Sequence, residues 1–132
     1  MIVKQLSVFI ENKPGAVAYI TKLLGSNNIN IRALQIADST DFGILRLIVD
    51  DGVKALELVK NEGYTAKLTD VISVVVPDKP NGLTELLNLL SENDIEITYL
   101  YVFIGKNNLG AEAILKAADN NKVEALLLNK YY

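Results

Sequence analysis

The sequence predicts an α+β fold of two βαββαβ modules in tandem, each an antiparallel sheet with its helices on one face. Two observations carry that expectation. Apolar residues switch repeatedly between a period of two and a period near 3.6, and the stretch ENKPGAVAYITKLLGSNNINI at residues 11–31 returns as PDKPNGLTELLNLLSENDIEI at residues 77–97. Across these windows Lys13, Pro14, Leu23, Leu24, Asn27, Ile29 and Ile31 match Lys79, Pro80, Leu89, Leu90, Asn93, Ile95 and Ile97 without a gap. Leucines can coincide by chance in any two helices. A shared Lys-Pro at one end and Ile-x-Ile at the other point to duplication.

The first strand is expected over Lys4 to Glu11, where Leu6, Val8 and Ile10 alternate with Gln5, Ser7 and Phe9. After Asn12-Lys13-Pro14-Gly15, Val17, Ile20, Leu23 and Leu24 form one apolar helical stripe that ends near Gly25 to Asn28. Ile29 to Ala37 and Phe42 to Val49 predict two strands joined by the polar turn Asp38-Ser39-Thr40-Asp41. Val53, Leu56 and Val59 mark a second helix stopping at Gly63, and Tyr64 to Leu68 predicts a fourth short strand.

The second half repeats the order: strand Val71 to Val76, helix Leu83 to Asn93, strands Ile95 to Ile104 and Ala111 to Lys116, then helix Asn120 to Leu128. It has no clear fourth strand, so the modules are divided as 1–69 and 70–132. Thr69 and Asp70 alone separate the flanking strands, too little for a flexible linker, so rigid coupling is expected.

Several strands look apolar on both faces. Phe9, Leu34 and Ile36 oppose Val8 and Ile31, and Ile97, Tyr99, Tyr101 and Phe103 alternate with Leu100, Val102 and Ile104. Helices cover one face, so the other is expected to be covered by sheet stacking, either within the chain or in a homodimer.

Composition excludes much. Half the residues are hydrophobic, no apolar run is long enough to span a bilayer, and the Met1 start lacks a basic region and a cleavage site, so a cytoplasmic protein without membrane contact is expected. The absence of cysteine removes disulfides, thiolate nucleophiles and sulfur-ligated metals, and the absence of histidine removes the commonest general base near neutral pH. A net charge of −3 and no basic run argue against nucleic acid.

Pro14 and Gly15 open the first helix. Proline costs little there, and glycine lets the backbone turn sharply. The amides of Gly15, Ala16 and Val17 are expected to point outward with the positive end of the helix dipole behind them, a setting suited to a carboxylate. Asn12 either caps the helix or binds a polar ligand group. On residues alone, a structural turn and a ligand site both stand.

The βαββαβ order, the run Val8-Phe9-Ile10-Glu11-Asn12-Lys13-Pro14-Gly15 and the strand opening Asn28-Ile29-Asn30-Ile31 together resemble the ACT domain family of small regulatory modules. The resemblance covers the first module fully and the second in part. It implies two ferredoxin-like modules and a non-catalytic regulatory protein that binds a free amino acid at an interface between modules. It places Asn12, Lys13, Pro14, Gly15, Ala16 and Val17 on one side of the ligand and Asn30 with Ile31, from a neighbouring module, on the other. It also implies a homodimer, no cofactor and a regulated metabolic enzyme as partner. The amides would take the ligand's carboxylate and the Asn carbonyls its ammonium.

The second module departs from the pattern. Asp78 stands for Asn12, Asn81 for Gly15 with Gly82 one place later, and Glu96 for Asn30. Acidic groups there repel a carboxylate, so the site is expected at the first loop. Arg46 in an apolar strand is either a carboxylate clamp or a residue with packed stem and exposed head; Arg32 gains interest from its place beside Asn30 and Ile31. Tyr99, Tyr101 and Phe103 fit core or interface better than base stacking.

The same topology serves unrelated tasks. Phe42-Gly43-Ile44-Leu45-Arg46-Leu47 supplies only fragments of an RNA-binding strand, a metal chaperone needs a cysteine pair, and an acylphosphatase-like loop needs an Arg facing an Asn. A structural or partner-binding dimerisation module with a non-functional ligand site is the alternative reading.

Overall fold

A computed structural model describes residues 2–38, 41–104 and 110–130. Among them the elements run β1 (Ile2–Glu11), α1 (Ala16–Ser26), β2 (Ile31–Asp38), β3 (Phe42–Val49), α2 (Gly52–Asn61), β4 (Ala66–Val76), α3 (Gly82–Glu92), β5 (Ile97–Ile104), β6 (Ala111–Ala117) and α4 (Asn120–Leu128). The architecture is α+β with two ferredoxin-like modules. Contacts divide the chain into Lys4–Thr69 and a unit made of Met1–Val3 with Asp70–Tyr132.

In the Lys4–Thr69 unit the strand order is β2-β3-β1-β4. β1 and β2 both run antiparallel to β3, with Val8 opposite Leu45 and Leu34 opposite Leu47. Leu6, Val8, Ile10, Leu45 and Leu47 point to the helices, where Ile20 and Leu24 of α1 and Ala55 and Val59 of α2 close the core. Those four helical positions follow the spacing of an amphipathic stripe, so burial selects the helical period.

In the other unit β6 pairs antiparallel with β4 and β5, and Ile72, Val74, Ala113 and Leu115 pack under Leu86, Leu90, Val123 and Leu127. The fourth strand that the sequence did not reveal in this half has a counterpart at the other end of the chain. Ile2, in β1, packs against this core and its amide donates to the Glu124 carboxylate at 3.0 Å.

Duplication reaches the helix ends. The Asn27 side chain donates to the Leu23 carbonyl and Asn93 to that of Leu89, both at 2.8 Å, while Asn28 and Asp94 take positive φ and the next amides, of Ile29 and Ile95, return to Leu24 and Leu90. Asp51 accepts from the Lys54 amide and Asp119 from that of Lys122, both at 3.1 Å, so α2 and α4 carry the same N-cap. The residues matched between the copies are thus the ones that terminate helices.

Three expectations change. Tyr64 to Leu68 and Val71 to Val76 are not separate strands: β4 runs unbroken from Ala66 to Val76, because Thr69 and Asp70 can adopt extended backbone and no glycine or proline interrupts them. Leu34 and Ile36 lie on the same side as Val8, not opposite it, and Ile97 packs on the helix side rather than with Tyr99. The cause is a register shift between Ile31 and Ala33 and its counterpart between Ile97 and Tyr99, each of which reverses the alternation at one residue. Finally, the face of the first unit away from its helices is not wholly apolar: Gln5 and Ser7 are buried there, with the Gln5 amide donating to the Ser7 hydroxyl, and Arg46 donates to Gln35. Of the expected hairpin turn, Ser39 and Thr40 lie outside the described residues.

Candidate functional site

The loop between β1 and α1 is shaped by three constraints. Asn12 ends the strand with its amide donating to the Asp41 carbonyl. Lys13 folds back, its amide donating to the Glu11 carbonyl and its ammonium 3.4 Å from the Glu11 carboxylate. Gly15 then adopts φ 86°, the left-handed region that glycine enters without steric cost, and the helix starts at Ala16.

Asn12 has a structural role that the sequence left open. Its side-chain amide donates to the Asp38 carboxylate at 2.9 Å and to the Phe42 carbonyl at 3.0 Å, so it holds the end of β1 to both strands of the β2–β3 hairpin rather than capping α1. The amide of Ala16, expected to be open, instead donates to the Lys13 carbonyl at 3.2 Å. The first i→i−4 bond is Tyr19 to Gly15, so Val17 and Ala18 carry the amides that precede any intrahelical acceptor.

The mouth of α1 differs from the other three. Asp51 and Asp119 cap α2 and α4 with their carboxylates, whereas the α1 mouth has neither a side-chain cap nor an acidic residue in its first turn. The α3 mouth repeats the left-handed turn, with Asn81 at φ 67°, but adds Glu85 in the first turn and Asp78 in the preceding loop. A methyl group built on Gly15 meets nothing within 4 Å. The α1 mouth is open, with no carboxylate of its own first turn over it.

Beside it lies a cavity of about 620 Å³, lined by Lys13, Pro14, Gly15 and Ala16 from the loop and by Phe9, Tyr19, Phe42 and Tyr64 from four other places in the unit. The Tyr19 hydroxyl donates to Glu62 at 2.7 Å, and its ring lies 6.4 Å from that of Tyr64 at 41°. Glu62 raises the Tyr19 phenol above its usual value, first by accepting its proton in a hydrogen bond and then by its negative charge.

Asn30 and Ile31 stand elsewhere. They follow the C-terminal end of α1, about 16 Å of helix from the mouth at 1.5 Å per residue. The Asn30 amide donates to the Asp50 carboxylate and its carbonyl accepts from the Asp50 amide, while Ile31 packs against the core. The unit therefore gathers Lys13 to Ala16 at the cavity, while Asn12 and Val17 do not line it and Asn30 and Ile31 stand apart. Arg32 is exposed at the register shift of β2. Sequence reasoning missed Tyr19, Phe42 and Tyr64 as cavity walls. For Tyr19 the available signal was that it follows Gly15 by one helical turn; Phe42 and Tyr64 reach the cavity through sheet register and the turn after α2, which no local pattern specifies.

Among the described residues no cluster of acidic side chains could hold a metal ion, and no helix is long and apolar enough to cross a membrane.

A family model described as an ACT domain pair matches residues 1–131. A curated relative, the acetolactate synthase small subunit of Mycolicibacterium smegmatis, is 23% identical over 120 residues, spanning 91% of this chain and 71% of that protein. Among solved structures, a Bacteroides thetaiotaomicron protein superposes with a TM-score of 0.92 at 37% identity, covering 99% of this chain and 90% of the other. The ligand-free regulatory subunit of aspartate kinase from Thermus thermophilus shares the fold, with a TM-score of 0.67 at 15% identity over 99% of this chain and 95% of its own.

Proposed function

The chain belongs to the ACT domain pair family, and from that premise we propose that it is a non-catalytic regulatory protein binding a free α-amino acid at the mouth of α1. The observation that carries this reading is the contrast among helix mouths. Two are closed by an aspartate, one has acidic neighbours, and the α1 mouth opens on a cavity with the Gly15 backbone uncovered. The positive end of the α1 dipole and the exposed backbone at Gly15 suit a carboxylate.

In this reading Asn12 shapes the loop through Asp38 and Phe42 rather than touching the ligand. Asn30 and Ile31 act from a second copy of the chain, where their backbone and the Asn side chain meet the ammonium. Their distance from the loop within one unit accords with such a split site. Ligand then tightens association of the two copies, and a catalytic partner senses the tightened form. The name of the curated relative, a small subunit of acetolactate synthase, supports a partner of that kind. A cytoplasmic location fits this role.

A thermal-shift screen of the common amino acids tests the proposal. At least one is expected to raise the melting temperature at millimolar concentration and to favour the dimer in sedimentation. No stabilisation by any of them would favour a structural dimerisation module with a non-functional ligand site.

A further inference from the structure

We infer that the ligand of the α1-mouth cavity carries an aromatic side chain, an inference that rests on the amino-acid reading above. Three rings that line this one hollow stay substantially exposed: Phe9 at 46%, Tyr19 at 49% and Phe42 at 57%. Tyr64, half-buried, completes the wall. Scattered exposed aromatics are ordinary on protein surfaces, but here Phe9 and Phe42, from the sheet face away from the helices, and Tyr19, from α1, border the same hollow, and apolar borders of that kind suit an apolar ligand group.

The Tyr19–Tyr64 side of the wall is also set in place before any ligand arrives. Tyr19 is held at its hydroxyl by Glu62 and at its ring by the tilted contact with Tyr64, inside the usual range for aromatic pairs. Walls already fixed lose little freedom on binding. The cavity, at about 620 Å³, lies within the range of small-molecule sites and has room for a ring as well as the amino-acid backbone.

Charge points the same way. Of the residues lining the cavity, Glu11 and Lys13 are charged, and they form an ion pair with each other. Glu62, behind Tyr19, is engaged by the phenol. A ligand with an acidic or basic side chain would meet both signs of the Glu11–Lys13 pair and gain no net charge complement there, whereas a ring needs only the aromatic faces.

The second copy of the fold supplies an internal comparison. The positions equivalent to Phe9 and Tyr19 hold Val75 and Glu85. Gly43 opposes Ile10 as Ala111 opposes Val76, so the position of Phe42 corresponds to Gly110. The copy with acidic residues around its helix mouth lacks the rings at these three positions, and the copy with the open mouth has all of them.

Calorimetric titration of the full chain with L-phenylalanine, L-leucine, L-alanine, L-aspartate and L-lysine tests the inference. Phenylalanine is expected to bind more tightly than any of the others, Phe42→Ala to weaken it about 2- to 12-fold, the span of one aromatic contact, and Phe42→Leu to weaken it less. Circular dichroism of both variants checks that the fold is kept. Leucine, alanine, aspartate or lysine binding as tightly as phenylalanine would overturn the aromatic assignment and leave the amino-acid reading standing. Binding of none of the five, with no response in the wider thermal-shift screen, would overturn both.

Discussion

The Tyr19 hydroxyl donates a 2.7 Å hydrogen bond to the carboxylate of Glu62, joining the first turns of α1 to the residue that ends α2. The phenol is raised by that bond and by the charge of Glu62, so Glu62→Gln is expected to bring its titration back toward the ordinary tyrosine value. The sign follows from linkage: a raised pKa means that the folded state holds the proton more tightly, so the contribution is fully present below the unfolded-state value of about 10 and is lost as pH rises through the folded value. An alkaline ultraviolet titration, taken as the difference between the chain and its Tyr19→Phe variant, reads this directly. A Tyr19 titration unchanged by Glu62→Gln would contradict it.

Gly15 at φ 86° predicts a graded response to substitution. Gly15→Asn is expected to cost well under 1 kcal/mol, because asparagine tolerates the left-handed region and Asn81 holds the same turn at φ 67° in the second copy. Gly15→Val is expected to cost about 1–2 kcal/mol in urea denaturation through backbone strain alone, since open space surrounds the site. Equal effects from the two would refute a backbone origin.

Gly82 tests the opposite constraint. A methyl group there would lie 2.0 Å from the Pro77 carbonyl oxygen, a backbone atom that cannot swing aside. Gly82→Ala is expected to destabilise by ~1–3 kcal/mol, like other overpacked sites, and Gly25→Ala, with nothing within 4 Å, to be neutral or stabilising. Comparing the two denaturation midpoints decides it.

Asn12→Ala removes donors to Asp38 and Phe42 and is expected to cost about 1–2 kcal/mol without any ligand present. Asn12→Asp adds repulsion from the Asp38 carboxylate and should be worse, with the excess shrinking in high salt. If Asn12→Ala left the free protein unchanged and altered only ligand binding, its structural assignment would fail.

The matched caps predict matched costs. Asp51→Ala and Asp119→Ala each remove a carboxylate that accepts a helix-start amide at 3.1 Å, so each should lose about 1 kcal/mol. A thermal or urea midpoint that moves for one and not the other would show that the two caps are not equivalent in energy.

Much of the fold was legible because its signals are local. Lys13-Pro14, Asn27 and Ile29 recur as Lys79-Pro80, Asn93 and Ile95, and in the structure they start and end helices through contacts only a few residues long. The register shifts at Arg32 and Thr98 were not legible: neither residue is a glycine or proline, and both shifts are defined by the partner strands β3 and β6. Those two displacements put Leu34 and Ile36 in the first unit, and Ile97 in the second, on the unexpected face.

The candidate site divides in the same way. The duplicated βαββαβ order, the glycine turn at the mouth of α1, and the chemical difference between Asn12-Gly15-Asn30 and Asp78-Asn81-Glu96 could be read along the chain, because each depends on residue type and short spacing. It took the folded chain to show that Asn12 ties strands together and that Phe9, Tyr19, Phe42 and Tyr64 border one cavity. Those outcomes require groups far apart in sequence to meet, and which groups meet is set by sheet register and helix packing rather than by any neighbour along the chain.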